Sequence, residues 1–121
     1  MKNLKDTIIE GLEPEILIKS KTYILTQDYL LPEMKDMERY HRSGFWPADA
    51  IEKIKDMAKK NGPVRWDGHI GSYIIPKGTE FRYTGSPAKL KDMYVINFLN
   101  CNNLSIWVDE YDLSDISAKL K

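Results

Sequence analysis

The chain has 121 residues, 18 Lys+Arg against 18 Asp+Glu, and 42% hydrophobic residues. That length suffices for one buried core without disulfide or metal staples and excludes a large multidomain enzyme, so a single domain over 1–121 is expected. Balanced charge at this hydrophobicity excludes intrinsic disorder, a broadly basic nucleic-acid binder and a membrane span.

Leu4, Ile8, Ile9 and Leu12 recur near helical spacing behind Asn3 or Asp6 and meet Gly11 and Pro14, which predicts a short N-terminal helix. Asp6, Glu10 and Glu13 interrupt any apolar run of signal-peptide length. From Glu15 to Leu30 the texture turns β-branched and aromatic through Ile16, Ile18, Thr22, Tyr23, Ile24, Thr26 and Tyr29, predicting one long or two short strands. Pro32 opens a helix with Met34, Met37 and Tyr40 or His41 on one side, closed by Ser43-Gly44. A second helix starts at Pro47, carries the stripe Ala50, Ile51, Ile54, Met57 and Ala58, and stops at Asn61-Gly62-Pro63. These two helices form an insertion over about 33–61 ahead of a strand-rich half over about 64–113.

In that half Tyr73-Ile74-Ile75 leads into the turn Pro76-Lys77-Gly78, and Thr79, Phe81 and Tyr83 then alternate with Glu80 and Arg82 up to Gly85-Ser86-Pro87. Met93 to Leu99 is a nearly continuous apolar run, the pattern of a strand buried on both faces. Asn102-Asn103 suits the positive φ of a hairpin, after which Leu104, Ile106 and Val108 alternate with Ser105 and Trp107. The stretch Asp109-Glu110-Tyr111-Asp112 reads as a solvated strand end. Short strands at this spacing predict an α+β fold built on a small antiparallel sheet or barrel.

Ile75-Pro76-Lys77-Gly78-Thr79, the central Tyr94-Val95-Ile96-Asn97-Phe98, and Ile106-Trp107-Val108 followed by Tyr111-Asp112-Leu113 together resemble the SH3-like small barrels. The resemblance implies an SH3-like barrel with the two-helix insertion. It implies no peptide groove, because the Ala-Leu of the signalling family's aromatic segment and its paired tryptophans are missing here.

Arg65-Trp66-Asp67-Gly68-His69-Ile70-Gly71 sets a guanidinium, an indole, a carboxylate and an imidazole between breakers. As a site, this loop would let Arg65 or Arg82 hold an anion while Trp66, Tyr73 or Tyr83 stacks on a flat group, with Asp67 and His69 completing the set. As a structural plug, Trp66 would close the end of the barrel with Arg65 and Asp67 solvated. Phe45 and Trp46 join the two helices, and either pack on the second helix or present an anchor to a partner.

No nucleophile, base and orienter occur together, so no catalytic residue is assigned and no cofactor or metal is expected. Glu38 and His41 have half the spacing of a carboxylate-bridged metal site, with no second copy. The reading is a non-catalytic binding protein that recognises a partner protein or a small anionic, nucleotide-like ligand, of the kind found among accessory or mobile-element inhibitors that act by sequestration. The alternative is a small hydrolase-type enzyme using Asp67 or His69 as base and Arg65 as anion clamp. Nucleic acid and membrane partners are not expected, and homo-oligomerisation stays open. The single cysteine, Cys101, cannot form an internal disulfide and has no cationic neighbour in sequence, which points to an inert thiol in the reducing cytoplasm.

Overall fold

Period-two alternation of buried and exposed side chains organises most of the chain into antiparallel strands, seen in a computed structural model that describes residues 8–12, 21–44, 46–85 and 93–121. In chain order the elements are β1 (Ile9–Glu10), β2 (Thr22–Leu25), β3 (Tyr29–Leu30), α1 (Met34–Arg42), α2 (Ala50–Lys59) and β4 (Arg65–Asp67). They continue as β5 (Ser72–Ile75), β6 (Glu80–Gly85), β7 (Tyr94–Phe98), β8 (Leu104–Val108), α3 (Glu110–Ser114) and β9 (Ser117–Leu120). One sheet runs β1-β9-β2-β6-β7-β8 and a second runs β3-β5-β4. The fold is α+β. None of the described helices is long and apolar enough to cross a membrane.

An aromatic-rich cross-strand row anchors the larger sheet in the core: Tyr23 on β2 opposes Phe81 on β6, which opposes Phe98 on β7, which opposes Leu104 on β8. All four are buried. Tyr23 stacks on Phe81 at 5.5 Å between centroids, and Phe98 lies 5.9 Å from Phe81. Tyr29 of the smaller sheet stacks on Phe98 at 6.3 Å, a ring contact that joins the two sheets. The stripe Ala50, Ile54 and Met57 of α2 is buried, and α2 packs against both β8 and β4. That contact fixes β4, and with it the β4–β5 hairpin, relative to the core.

Of the two arrangements expected, an antiparallel sheet or an SH3-like barrel, the larger sheet takes the open form: β1 and β8 are its two ends and do not pair. At β8 the indole Nε1 of Trp46 donates to the carbonyl of Trp107 at 3.0 Å, so a side chain occupies a backbone acceptor of this edge strand. The expected N-terminal helix is likewise absent over 8–12; its earlier residues lie outside the described ones. Ile9 and Glu10 instead pair with Ala118 and Ser117 of β9. A helix of that length is marginal alone, whereas a sheet edge supplies hydrogen-bond partners at once. Gly11 then turns at φ +81°, where a Cβ would stand 2.8 Å from the Ser114 carbonyl oxygen.

Three further expectations change. The Met93–Leu99 run is not buried on both faces: Ile96 and Phe98 are buried, while Tyr94, Val95 and Asn97 are half-buried. Asn97 gives its amide to Ser105 Oγ at 2.9 Å across to β8. The acidic run after Val108 is no strand end, since Asp109 caps α3 by accepting the Asp112 N–H at 2.8 Å. Finally β9, outside the predicted strand-rich half, inserts between β1 and β2 with Ala118 buried against Leu25. The strands expected over 15–20 lie outside the described residues. The Asn102-Asn103 turn has φ of 54° and 52°, as the strand grammar required.

Candidate binding surface

The segment Arg65–Gly71 is not a loop throughout: Arg65–Asp67 is strand β4 and 68–71 is the turn of a β-hairpin completed by β5. Arg65, Trp66 and Asp67 pair with Ile74, Tyr73 and Ser72. The turn between them is built by Asp67, whose Oδ1 accepts the N–H groups of His69 at 2.9 Å and Ile70 at 3.1 Å while its carbonyl accepts Gly71 N–H at 2.8 Å. An aspartate that bonds the backbone two and three residues ahead is a turn former, and Gly71 at φ +76° completes the reversal. One carboxylate oxygen of Asp67 is thus committed to the turn.

Alternation along β4 sends Arg65 and Trp66 to opposite faces of the small sheet. The Arg65 guanidinium lies against Asp28, with Nη2 2.9 Å from Oδ2, and Asp28 Oδ1 also accepts the Lys77 N–H at 2.7 Å. That backbone donor first, and then Arg65, hold the Asp28 carboxyl below its ordinary range. On the other face Trp66 is 50% exposed and its ring centroid is 4.8 Å from that of Tyr73, its cross-strand partner. The indole leans over the turn, since a Cβ placed on Gly68 would sit 3.8 Å from its Nε1. His69 is exposed at the tip beside Ile70, itself 52% exposed.

The hairpin therefore gathers Arg65, Trp66, Asp67, His69 and Tyr73, but on two faces. Arg82 and Tyr83 do not join them. Both lie on β6 of the larger sheet, where adjacent positions again point apart. Exposed Arg82 reaches Thr22 Oγ1 at 3.4 Å, while Tyr83 is half-buried 6.2 Å from the Tyr94 ring. Trp46 is a core residue at 3% exposure, stacked on Tyr40 at 5.9 Å, and not a protruding anchor. Its indole is buried because the short helix connection folds it under the β8 edge. Phe45 lies outside the described residues.

Two contributors were missed in the sequence. Ile70 is an exposed apolar residue in a turn, and its position between Gly68 and Gly71 was the available signal. Asp28 gave no local signal, since its partners Arg65 and Lys77 are distant in sequence. A separate cavity of about 320 Å³ is lined by Asp49, Glu52, Lys53, Asp56 and Asn102. Lys53 there pairs with Asp49 at 3.3 Å, so the lining is acidic overall and offers an anion no attraction. Among the described residues no three His, Cys, Asp or Glu converge as a metal site. Cys101 is buried, and burial pushes its thiol up to about 11.

On α3, burial first and then the neighbouring Asp109 push the Asp112 carboxyl up to about 6, from 3.8. The folded protein thus holds this proton between roughly pH 4 and 6, where the unfolded chain releases it, and stability falls as pH rises through that interval. Asp112→Asn should therefore stabilise the protein at pH 7.5 by about 1 kcal/mol, since solvent partly screens this half-buried carboxylate, and do nothing at pH 3.5. Urea denaturation at both values checks it; equal midpoints at pH 7.5 would remove the explanation.

No protein-family model matches the chain, and no curated protein or solved structure matches it.

Proposed function

We propose that this chain is a binding protein that engages a partner protein through the β4–β5 hairpin, by contact and not by chemistry. The observation that carries the reading is the half-exposed Trp66, braced on Tyr73 and leaning over a turn that also exposes Ile70. An exposed indole on a rigid strand brings large contact area at low entropic cost, which is what interface anchors need. The polar groups around it are engaged in building the hairpin: Arg65 with Asp28, Asp67 with the turn. A protein partner fits better than a small anionic ligand, because Arg65 and Trp66 face opposite ways, as do Arg82 and Tyr83. The antiparallel strand grammar that resembles SH3-like barrels contributes the platform in this reading, and no SH3-type groove is invoked. The buried, unreactive Cys101 suits a reducing, cytoplasmic setting.

The test compares the immobilised full chain with a Trp66→Ala/Ile70→Ser double variant in quantitative capture from host lysate, followed by affinity measurement on each recovered protein. Loss of a central aromatic anchor should weaken binding by about 30-fold or more. Partners recovered equally by both proteins, with equal affinity, would remove the hairpin from the account.

A further inference from the structure

The outer edge of β4 is chemically self-complementary. In the sheet order β3-β5-β4, no described strand pairs with β4 on its far side. Two hydrogen bonds fix which backbone groups face that way. The Tyr73 carbonyl accepts from Leu31 N–H at 2.9 Å, toward β3, so Tyr73 turns its backbone donor and acceptor away from β4. The Asp67 carbonyl accepts from Gly71, toward the hairpin interior. Trp66 and Tyr73 thus form the pair of β4 and β5 that exchanges no hydrogen bonds, and the N–H and C=O of Trp66 point out at the edge.

A two-fold axis through Trp66 would let two copies pair there as antiparallel strands. Trp66 would exchange both backbone hydrogen bonds with Trp66 of the second copy. On one face, Arg65 of each copy would then stand opposite Asp67 of the other, giving two opposite-charge pairs from one tripeptide. Asp28 engages Nη2 of Arg65, and the turn engages Oδ1 of Asp67, leaving Oδ2; to meet Asp67 of the other copy Arg65 would turn from Asp28, which stands on the β3 side, toward the outer edge. On the opposite face the indoles would meet between the two Tyr73 rings, extending the 4.8 Å contact already present within each copy. A parallel or shifted pairing loses the charge match, so sequence and register select this one arrangement.

We propose that the partner at this edge is a second copy of the chain, joined antiparallel about Trp66 into a six-stranded sheet of order β3-β5-β4-β4-β5-β3. This rests on the reading of the hairpin as the binding surface and names its occupant.

Analytical ultracentrifugation of the full chain, up to about 1 mM given so short an interface, tests it with a charge swap. Wild type should show a monomer–dimer equilibrium. Arg65→Glu and Asp67→Lys should each weaken it at least about tenfold, because like charges then face each other twice. An equimolar mixture of the two variants should associate again as a mixed dimer, in which every Glu or Asp faces a Lys or Arg. A second pair of variants keeps the test open if Asp67→Lys unsettles the turn. Trp66→Pro removes the outward N–H without touching a bond within the chain and should abolish the dimer, whereas Trp66→Ala, which keeps the N–H, should retain part of it. A wild type that stays monomeric at 1 mM overturns the proposal. So does a mixture of folded charge variants that fails to reassociate, or a Trp66→Pro variant that dimerises like wild type. Should the dimer fail while the Trp66→Ala/Ile70→Ser variant still loses a different captured protein, the hairpin remains a binding surface with another occupant; should that capture also be unaffected, both readings fall.

Discussion

Phe81→Ala should cost about 4 kcal/mol, the range found for truncating a fully buried phenylalanine. Phe81 has no exposed surface and stands at the centre of the aromatic row, 5.5 Å from Tyr23 and 5.9 Å from Phe98. Its removal leaves a cavity flanked by rings on both sides, and rigid rings collapse into a void less readily than aliphatic chains. Because Phe98 also carries the stacking contact to Tyr29, the damage reaches the joint between the two sheets. A domain of this size has roughly 5–15 kcal/mol in total, so the variant should sit near its unfolding threshold at 37 °C. Urea denaturation followed by circular dichroism measures the loss; a cost under about 1 kcal/mol would mean the row is not the core of the larger sheet.

The second large effect concerns Trp46, where stability and not binding should respond. Trp46→Ala should cost about 3–5 kcal/mol through lost burial and lost stacking on Tyr40. Trp46→Phe keeps most of the apolar contact but withdraws the donor from the Trp107 carbonyl, which should cost about 1–3 kcal/mol. The ordering of the two variants separates the packing contribution from the hydrogen bond. Each folded variant should capture partners as wild type does, because the indole faces the interior. A Trp46→Ala protein as stable as wild type but deficient in capture would reverse the assignment and make this indole the anchor.

Local grammar carried much of the architecture. The apolar stripe from Ala50 to Met57 needs no partner to be recognised as helical, and Asn102-Asn103 can take positive φ with little strain wherever the fold puts them. The alternation from Thr79 to Tyr83 and from Leu104 to Val108 marks strands with one face inward. These signals are properties of neighbouring residues, so they survive without knowledge of the fold. The hairpin was legible only in composition: Arg65, Trp66, Asp67 and Tyr73 stood out as types, and Gly68 and Gly71 as breakers.

Long-range pairing decided the rest. Ile9 and Glu10 become a strand only because β9 lies alongside, and β9 is a strand only because a slot exists between β1 and β2. Neither segment has a local pattern strong enough to announce this. In the same way the three-residue strand β4 looked like a loop, since its definition comes from registry with β5. That registry divides Arg65 from Trp66, commits Arg65 to Asp28 far away in sequence, and turns the backbone of Trp66 outward. The sequence by itself marked the helices α1 and α2, the β7–β8 hairpin and the residue types gathered in the candidate site. Only the tertiary structure decided which of those side chains share a face, because strand pairing sets facing and edge exposure through contacts that no local window contains.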